Sequence, residues 1–282
     1  MWVSLAPAAR AQERRVDAAK VTAFIPHRNG HRWLEQCLDS ICRQSRRADR
    51  VIVADDDSDV SPEPIVARFD GVTLLRSAEH VGPYRLLQEV VARTPDADAY
   101  LLQDADDWSA ADRLELLLEA AEESGAEIVG CQELRVADDD SVLLPVSYPL
   151  DANAALGERP GGYPVLHPST LVRRDLILRL GGYATGLRFG GDSEFLRRAA
   201  HAARVLNVPW HSYFRRDHPA SLTRSPATGF GSPAREEVSR GLQARAKINA
   251  MLVSRQMEPD LMPWKTAPSI ALEHVLGPPL HA

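Results

Sequence analysis

Short apolar runs and helix-period segments alternate through the first half of the chain. Val21-Thr22-Ala23-Phe24-Ile25-Pro26 is a β-rich run closed by proline and predicts a first strand. From His31 to Gln44, apolar residues recur at 34, 37, 38 and 41, the spacing of one helix face. Val51-Ile52-Val53-Ala54 predicts a second strand, Pro62 to Phe69 a helix, and Val72-Thr73-Leu74-Leu75 a third strand. Val81 to Arg93 reads as a helix with Leu86, Leu87, Val90 and Val91 inward, and Ala99-Tyr100-Leu101-Leu102 is the fourth strand. A further helix follows. Ser109 and Asp112 have capping-box spacing, Leu114, Leu117, Leu118 and Ala121 share a face, and Gly125 is the stop. Four strand–helix alternations predict an α/β fold: a mostly parallel twisted sheet with helices on both faces and right-handed crossovers.

The second half is less regular. Glu127 to Val136 and Ser141 to Val146 read as strands around the acidic turn Asp138-Asp139-Asp140. Ala154 to Tyr163, rich in Gly, Pro and small residues, reads as a mobile loop. Ser169 to Arg173 predicts a strand, and Asp175 to Leu180 a short helix ended by Gly181-Gly182. Asp192-Ser193-Glu194 opens another helix, and Val205 to Phe214 is extended, with a break at Pro209. Ser225 to Ser232 reads as a linker, and Pro233 to Arg255 as a long helix with proline near its start. Its stripe of Val238, Leu242, Ala246 and Ala250 packs on the domain or pairs with a second copy as a homodimer. The tail after Pro259 has no strong period and is expected to be partly disordered.

Composition narrows the class. With 282 residues, 44% hydrophobic and 26% charged, the chain has the make-up of an ordinary globular protein. A net charge of −6 argues against nucleic acid as the main partner. No apolar run is long enough to span a bilayer, and the first twenty residues lack the apolar core of a signal peptide. Cys37, Cys42 and Cys131 make neither a metal spacing nor an even disulfide set. Cys37 and Cys42 fall in a helical pattern with Leu34, Leu38 and Ile41, as small core residues. The expected compartment is a reducing cytoplasm.

Two strands end in carboxylates. Asp55-Asp56-Asp57-Ser58-Asp59 follows the second, and Asp104-Ala105-Asp106-Asp107 follows the fourth. The C-terminal edge of an open α/β sheet is where such folds bind ligands. Massed anions raise one another's proton affinity unless a cation joins them, and carboxylate oxygens suit Mg²⁺ or Mn²⁺. The competing reading is a pair of solvated acidic loops. Neither GxGxxG nor GxxxxGK[ST] follows the first strand, which weighs against a dinucleotide fold and a P-loop.

From Val21 to Arg224 the chain resembles the inverting family-2 glycosyltransferases of the nucleotide-sugar-binding GT-A fold, in six segments that come in the family's order. Thr22-Ala23-Phe24-Ile25-Pro26-His27-Arg28-Asn29 matches the first strand and its loop. Val51 to Asp59 resembles the second strand, with Asp57 where the family prefers glycine; Asp tolerates the left-handed region better than most residues. Gly82-Pro83-Tyr84-Arg85 is similar to the Gly-led helix under the donor, and Gln103 to Trp108 to the DxD segment. Phe189 to Arg197 resembles the Glu-Asp segment, with Gly191 in place of the usual Glu and Asp192 retained. Arg216 to Thr223 is similar to the closing His-containing loop. The domain organisation this implies is an extension over 1–20, a transferase domain over 21–224 with nucleotide-binding (21–125) and acceptor (126–224) halves, and a C-terminal helix and tail over 225–282.

The resemblance implies a metal-dependent, inverting glycosyl transfer from a nucleotide-diphosphate sugar to a hydroxyl acceptor, with a UDP-sugar favoured. It implies Asp192 as general base. Pro26, His27, Arg28, Asn29, Asp55, Asp56, Arg85, Asp104 and Ala105 would contact the donor, Asp56 being favoured over Asp55 for the base or ribose. Asp106 would bind Mn²⁺ or Mg²⁺ directly, Asp104 would contact ribose or support the metal, and Asp107 would stand behind them. His218 would be a third ligand or a diphosphate contact. Trp108, His167 and Glu194 would lie on the acceptor side. Two other readings compete: a nucleotide-sugar-binding protein that has lost catalysis, suggested by Gly191, and a sugar nucleotidyltransferase. The latter would want a Gly-rich, basic loop after the first strand, and His27-Arg28-Asn29-Gly30 is poor in both.

Overall fold

A computed structural model describes residues 19–219 and 221–280. The expected N-terminal extension therefore lies almost wholly outside the described residues. In chain order the elements of the first half are β1 (Val21–His27), α1 (His31–Cys42), β2 (Arg50–Asp56), α2 (Glu63–Val66), β3 (Val72–Ser77), α3 (Pro83–Arg93), β4 (Ala99–Leu102), β5 (Trp108–Ser109) and α4 (Arg113–Ser124). The second half holds β6 (Ile128–Val136), β7 (Val142–Val146), α5 (Ala152–Glu158), a 3₁₀ turn (His167–Ser169), β8 (Leu171–Arg173) and α6 (Arg174–Arg179). It continues with α7 (Gly191–Ala199), β9 (Val205–Arg216), α8 (Pro233–Ser254) and β10 (Leu272–Leu276).

All the strands join one sheet in the order β10-β3-β2-β1-β4-β8-β6-β9-β5, with β7 paired to β6. β3, β2, β1 and β4 run parallel, as the strand–helix alternation predicts. β8 breaks the parallel run by pairing antiparallel with both β4 and β6. Alternate strand residues feed two cores. Val21, Ala23 and Ile25 meet Leu34, Leu38 and Ile41 of α1 and Leu114 and Leu117 of α4. Phe24, Ile52 and Leu102 meet Leu86, Leu87 and Val90 of α3 on the other face. A strand with both faces covered is a continuous apolar run, which is how β1, β2 and β4 read in the sequence.

Four local expectations change. Ser109 does not cap α4: it pairs with Tyr213 in β5, and its Oγ donates to Gln103, so the helix starts at Arg113. Ala154 to Tyr163 is not a loop throughout; Asp151 accepts from the Ala154 N–H and nucleates α5. Pro209 does not break β9, which absorbs it through register shifts against β6. The tail forms β10, antiparallel to β3 and anchored by the Thr73 hydroxyl donating to the Pro278 carbonyl. On α8, Leu242, Ala246 and Asn249 are buried, so the predicted stripe packs on its own chain. No helix among the described residues is long and apolar enough to cross a membrane.

Candidate active site

The C-terminal ends of β1, β2 and β4 open onto one edge, where two adjoining cavities share Pro26, Pro83, Asp104, Arg215, Leu222 and Thr223. The larger, about 430 Å³, is lined by Pro26, His27, Arg28, Asn29, Asp56, Ala105, Asp106, Asp107 and His218 among others. The smaller, about 190 Å³, holds Asp104, His167 and Asp192 within mostly apolar walls. Most of the residues that the motifs single out, though far apart in sequence, meet in this one cleft.

The β1 and β2 loops brace each other. The Gly30 N–H donates to His27 Nε2, so Nδ1 carries the ring proton and donates to Asp55 at 2.9 Å. Burial pushes the Asp55 carboxyl up, but hydrogen bonds from His27 and Ser58 outweigh it and hold it below its ordinary range. Asp55 is fully buried behind the cleft, so it fixes His27 rather than meeting a ligand directly. Asp56 does line the cleft, and accepts from the backbone N–H of Val81 and Gly82 and from His80. Asp57 takes φ 56°, the left-handed angle that its position demands.

The acidic end of β4 is held from behind. Buried Arg113 donates to the Leu102 carbonyl and to Gln103 Oε1. The Tyr213 hydroxyl donates to Asp107 Oδ2 and accepts from the Asp104 N–H. The Arg216 N–H takes the other Asp107 oxygen, so Asp107 is a buried tie between strands. Asp104, Asp106 and Asp107 offer oxygens that all lie within 4.8 Å of one another. Burial, then the Asp106 charge, pushes the Asp104 carboxyl up to about 7, and burial with both neighbours pushes Asp107 well up. His218 Nε2 donates to Asp106 at 2.8 Å, its ring lies 4.2 Å from that of Trp33, and its buried Nδ1 has no partner among the described residues. This hard, anion-rich set fits a divalent cation, with Asp104 and Asp106 both lining the cleft.

Asp192 stands in the first turn of α7, facing Tyr84 and His167. Burial lowers His167 to about 4, so its imidazole is neutral, and Nε2 contacts the Tyr183 hydroxyl at 3.1 Å.

Besides Asp55, three expected site residues are elsewhere. Arg85 Nε donates to the Pro268 carbonyl, tying α3 to the C-terminal tail. Glu194 points away from the cleft into a buried cluster with Arg198, Arg245 and the Trp264 N–H. Trp108 stacks on Phe214, with centroids 5.1 Å apart and planes within 1°. Helix phase decides the first two: only one side of α3 and of α7 faces the cleft. Sequence reasoning missed His80, Tyr84, Arg188 and Arg215, all of which line the cavities. Arg188 donates to His80 Nε2 at 2.6 Å, which leaves His80 Nδ1–H for Asp56. The available signal was position: Arg188 precedes Phe189, and Arg215 precedes the His218 loop, each beside a segment already singled out.

The model of "Glycosyl transferase family 2" matches residues 22–177, more than half of the chain. The chain belongs to glycosyl transferase family 2. The uncharacterized glycosyltransferase EpsJ of Bacillus subtilis (strain 168) is 25% identical over 222 residues, covering 73% of this chain and 63% of that protein. This chain thus spans less than two thirds of that relative's length. Among solved structures, S. aureus TarS 1–349 in complex with UDP superposes with a TM-score of 0.60 at 17% identity, over 84% of this chain and 73% of TarS 1–349. The mannosyltransferase PcManGT of Pyrobaculum calidifontis, in complex with GDP-Man and Mn²⁺, gives 0.53 at 20% identity, over 86% and 68%. These likenesses show the fold of this chain, GT-A. Asp192 and His218 lie beyond the stretch that the family model matches.

Proposed function

We propose that this chain is a metal-dependent, inverting glycosyltransferase that moves a sugar from a nucleotide-diphosphate donor to an acceptor hydroxyl, in glycan, glycoconjugate or natural-product biosynthesis. The observation that carries the reading is one cleft with Asp104 and Asp106 on one side and Asp192 on the other, joined through the shared wall at Asp104. A diphosphate fits the larger cavity, where Arg28, Arg188 and Arg215 offer guanidinium donors. Asp104 and Asp106 would hold Mn²⁺ or Mg²⁺, with His218 as a third ligand or a diphosphate contact. When bound, the cation stabilises the charge that develops on the leaving diphosphate. Asp192 takes the acceptor proton while the acceptor oxygen attacks the anomeric carbon opposite the breaking bond, a single displacement. The apolar walls around Asp192 exclude water from the reacting atoms. A UDP-sugar is the favoured donor, in keeping with the UDP and UDP-GlcNAc complexes of TarS. Three free cysteines accord with a reducing cytoplasm.

A panel of UDP-, GDP- and dTDP-sugars with Mn²⁺ or Mg²⁺ tests the proposal, turnover being read as nucleotide release. Asp192→Asn is expected to cut turnover about 10²- to 10⁴-fold while leaving nucleotide affinity in place. Near-normal turnover removes Asp192 as base. Nucleotide binding with no turnover on any donor selects the non-catalytic reading instead.

A further inference from the structure

Arg216 ends β9, and its side chain is 1% exposed. A buried guanidinium is costly unless its N–H groups find acceptors, and here all three nitrogens do. Nε donates to the Asp106 carbonyl at 3.1 Å. Nη1 donates to the Ala137 and Asp138 carbonyls, at 3.2 Å each, and pairs with Asp140 Oδ1 at 2.6 Å. Nη2 donates to Gln36 Oε1 of α1 at 2.7 Å. The guanidinium also lies over the rings of Trp108 and Trp33, 4.9 and 5.8 Å from their centroids, faces that favour a cation.

The acidic turn between β6 and β7 lies outside both cavities of the cleft. Each of its carboxylates has a partner. Asp138 accepts from Arg32 at 2.7 Å, and Asp139 accepts from the N–H and the hydroxyl of Ser141. Asp140 accepts from Gln36 Nε2 besides pairing with Arg216. The turn is therefore an anchor for Arg216 rather than a second cation site.

The end of β9 meets the Asp104–Asp107 loop at three points. The Arg216 N–H donates to Asp107 Oδ1 at 2.7 Å, Arg216 Nε to the Asp106 carbonyl, and His218 Nε2 to the Asp106 carboxylate. A planar fork that is tied on its far side holds the carbonyl in one place, and with it the point from which the Asp106 side chain leaves the backbone.

We infer that Arg216 is the positioning residue of the Asp104–Asp107 loop: its buried fork, anchored by Gln36 and Asp140, holds Asp106 where its carboxylate can meet a divalent cation. The inference rests on Asp106 being a metal ligand. A guanidinium has no acceptor atom to offer a metal, so Arg216 acts through Asp106.

The test uses the full chain. Calorimetry follows Mn²⁺ titrated in the presence of UDP, and the thermal midpoint of the metal-free protein is read beside it. Arg216→Lys keeps the charge and loses the fork. Its Mn²⁺ affinity should fall about 10- to 100-fold, the range for outer partners of a metal ligand, with UDP affinity in the absence of metal unchanged. Asp140→Asn leaves Arg216 in place and removes its anchoring charge. Because Asp140 is half exposed, the expected fall is about two- to fivefold. Asp139→Asn takes the same charge from the same turn, but from a carboxylate bonded to Ser141, and should leave Mn²⁺ affinity as it is. Unaltered Mn²⁺ affinity in Arg216→Lys or, where that variant does not fold, in Asp140→Asn overturns the inference, and a lowered midpoint beside it reduces Arg216 to packing. Equal losses in Asp139→Asn and Asp140→Asn overturn the anchor, since charge alone then explains both. If Asp106→Ala binds Mn²⁺ normally, the ligand assignment fails first and the role of Arg216 goes with it.

Discussion

β2 and β4 flank β1 and run parallel to it, so their acidic ends open onto the same edge of the sheet. As sequence the two clusters look alike, yet their surroundings differ. At the end of β2, Asp55 accepts from His27 and Ser58, and Asp56 from His80 and two backbone N–H groups. At the end of β4, Asp107 is tied on both oxygens, to Tyr213 and Arg216, while Asp106 accepts from His218 alone. Among the described residues no donor reaches the Asp104 carboxylate, and burial with the Asp106 charge drives it up to about 7. Carboxylates supplied with donors are structural ties that shape a loop. Carboxylates left with one another are incomplete until a cation arrives. The first cluster braces the loops of the cleft, and the second leaves carboxylates facing into it.

The strongest way to break this contrast is Asp106→Ala. Removing a direct ligand should weaken Mn²⁺-dependent binding of UDP at least about 100-fold, beyond what loss of an outer hydrogen bond costs. Calorimetry with the nucleotide and metal reads the change, and the thermal midpoint of the metal-free protein should hold or rise. Unaltered affinity would leave the β4 cluster as a solvated loop.

Asp55→Ala should act in the opposite way. It strips the partner from His27 Nδ1–H and from Ser58 in a fully buried site, at a cost of ~2–4 kcal/mol in unfolding free energy. Urea denaturation measures it. If Asp55→Ala is as stable as the parent, the β2 cluster is not a brace.

The smallest effect is on pH dependence. Asp104 sits near 7 in the folded chain against an ordinary 3.8, so the folded state holds a proton that the unfolded state has released. Its contribution to stability therefore declines as pH rises from 3.8 and levels off above about 7. Asp55, held below 3.8, contributes above that value and loses its contribution only as pH falls below it. Between pH 8 and 6 Asp55 is silent, while Asp104 and its raised neighbour Asp107 favour the fold and His167, lowered to about 4 by burial, opposes it. Measured against Asp104→Asn, the thermal midpoint of the metal-free protein should therefore climb by ~1–3 °C. Saturating Mn²⁺ should flatten that rise. A midpoint that moves with pH as that of Asp104→Asn does would contradict the raised carboxyl.

Legibility followed physical range. The first four strands and α1, α3 and α4 were visible as apolar periodicity, because each buries a face whose pattern is local. The Gly125 stop and the left-handed Asp57 were readable for the same reason, since both are single-residue backbone requirements. Asp104, Asp106 and Asp192 were singled out by their place in ordered motifs, and the structure brings them to adjoining cavities. Arg85 and Glu194 were misplaced because helix phase relative to the cleft depends on how α3 and α7 seat on the sheet. β10 was hidden because a strand paired along an open edge needs backbone hydrogen bonds more than a hydrophobic pattern.

By itself, the sequence determined the strand–helix alternation, the family and the supply of carboxylates, all properties of neighbouring residues or of their order. Tertiary structure decided what each carboxylate does. Whether an Asp is a tie or is left open to a ligand depends on the donors that distant segments bring to it: His27 to Asp55, His80 to Asp56, Tyr213 to Asp107. Hydrogen bonds act over about 3 Å, and only the folded chain brings partners separated by 24 to 106 residues within that range.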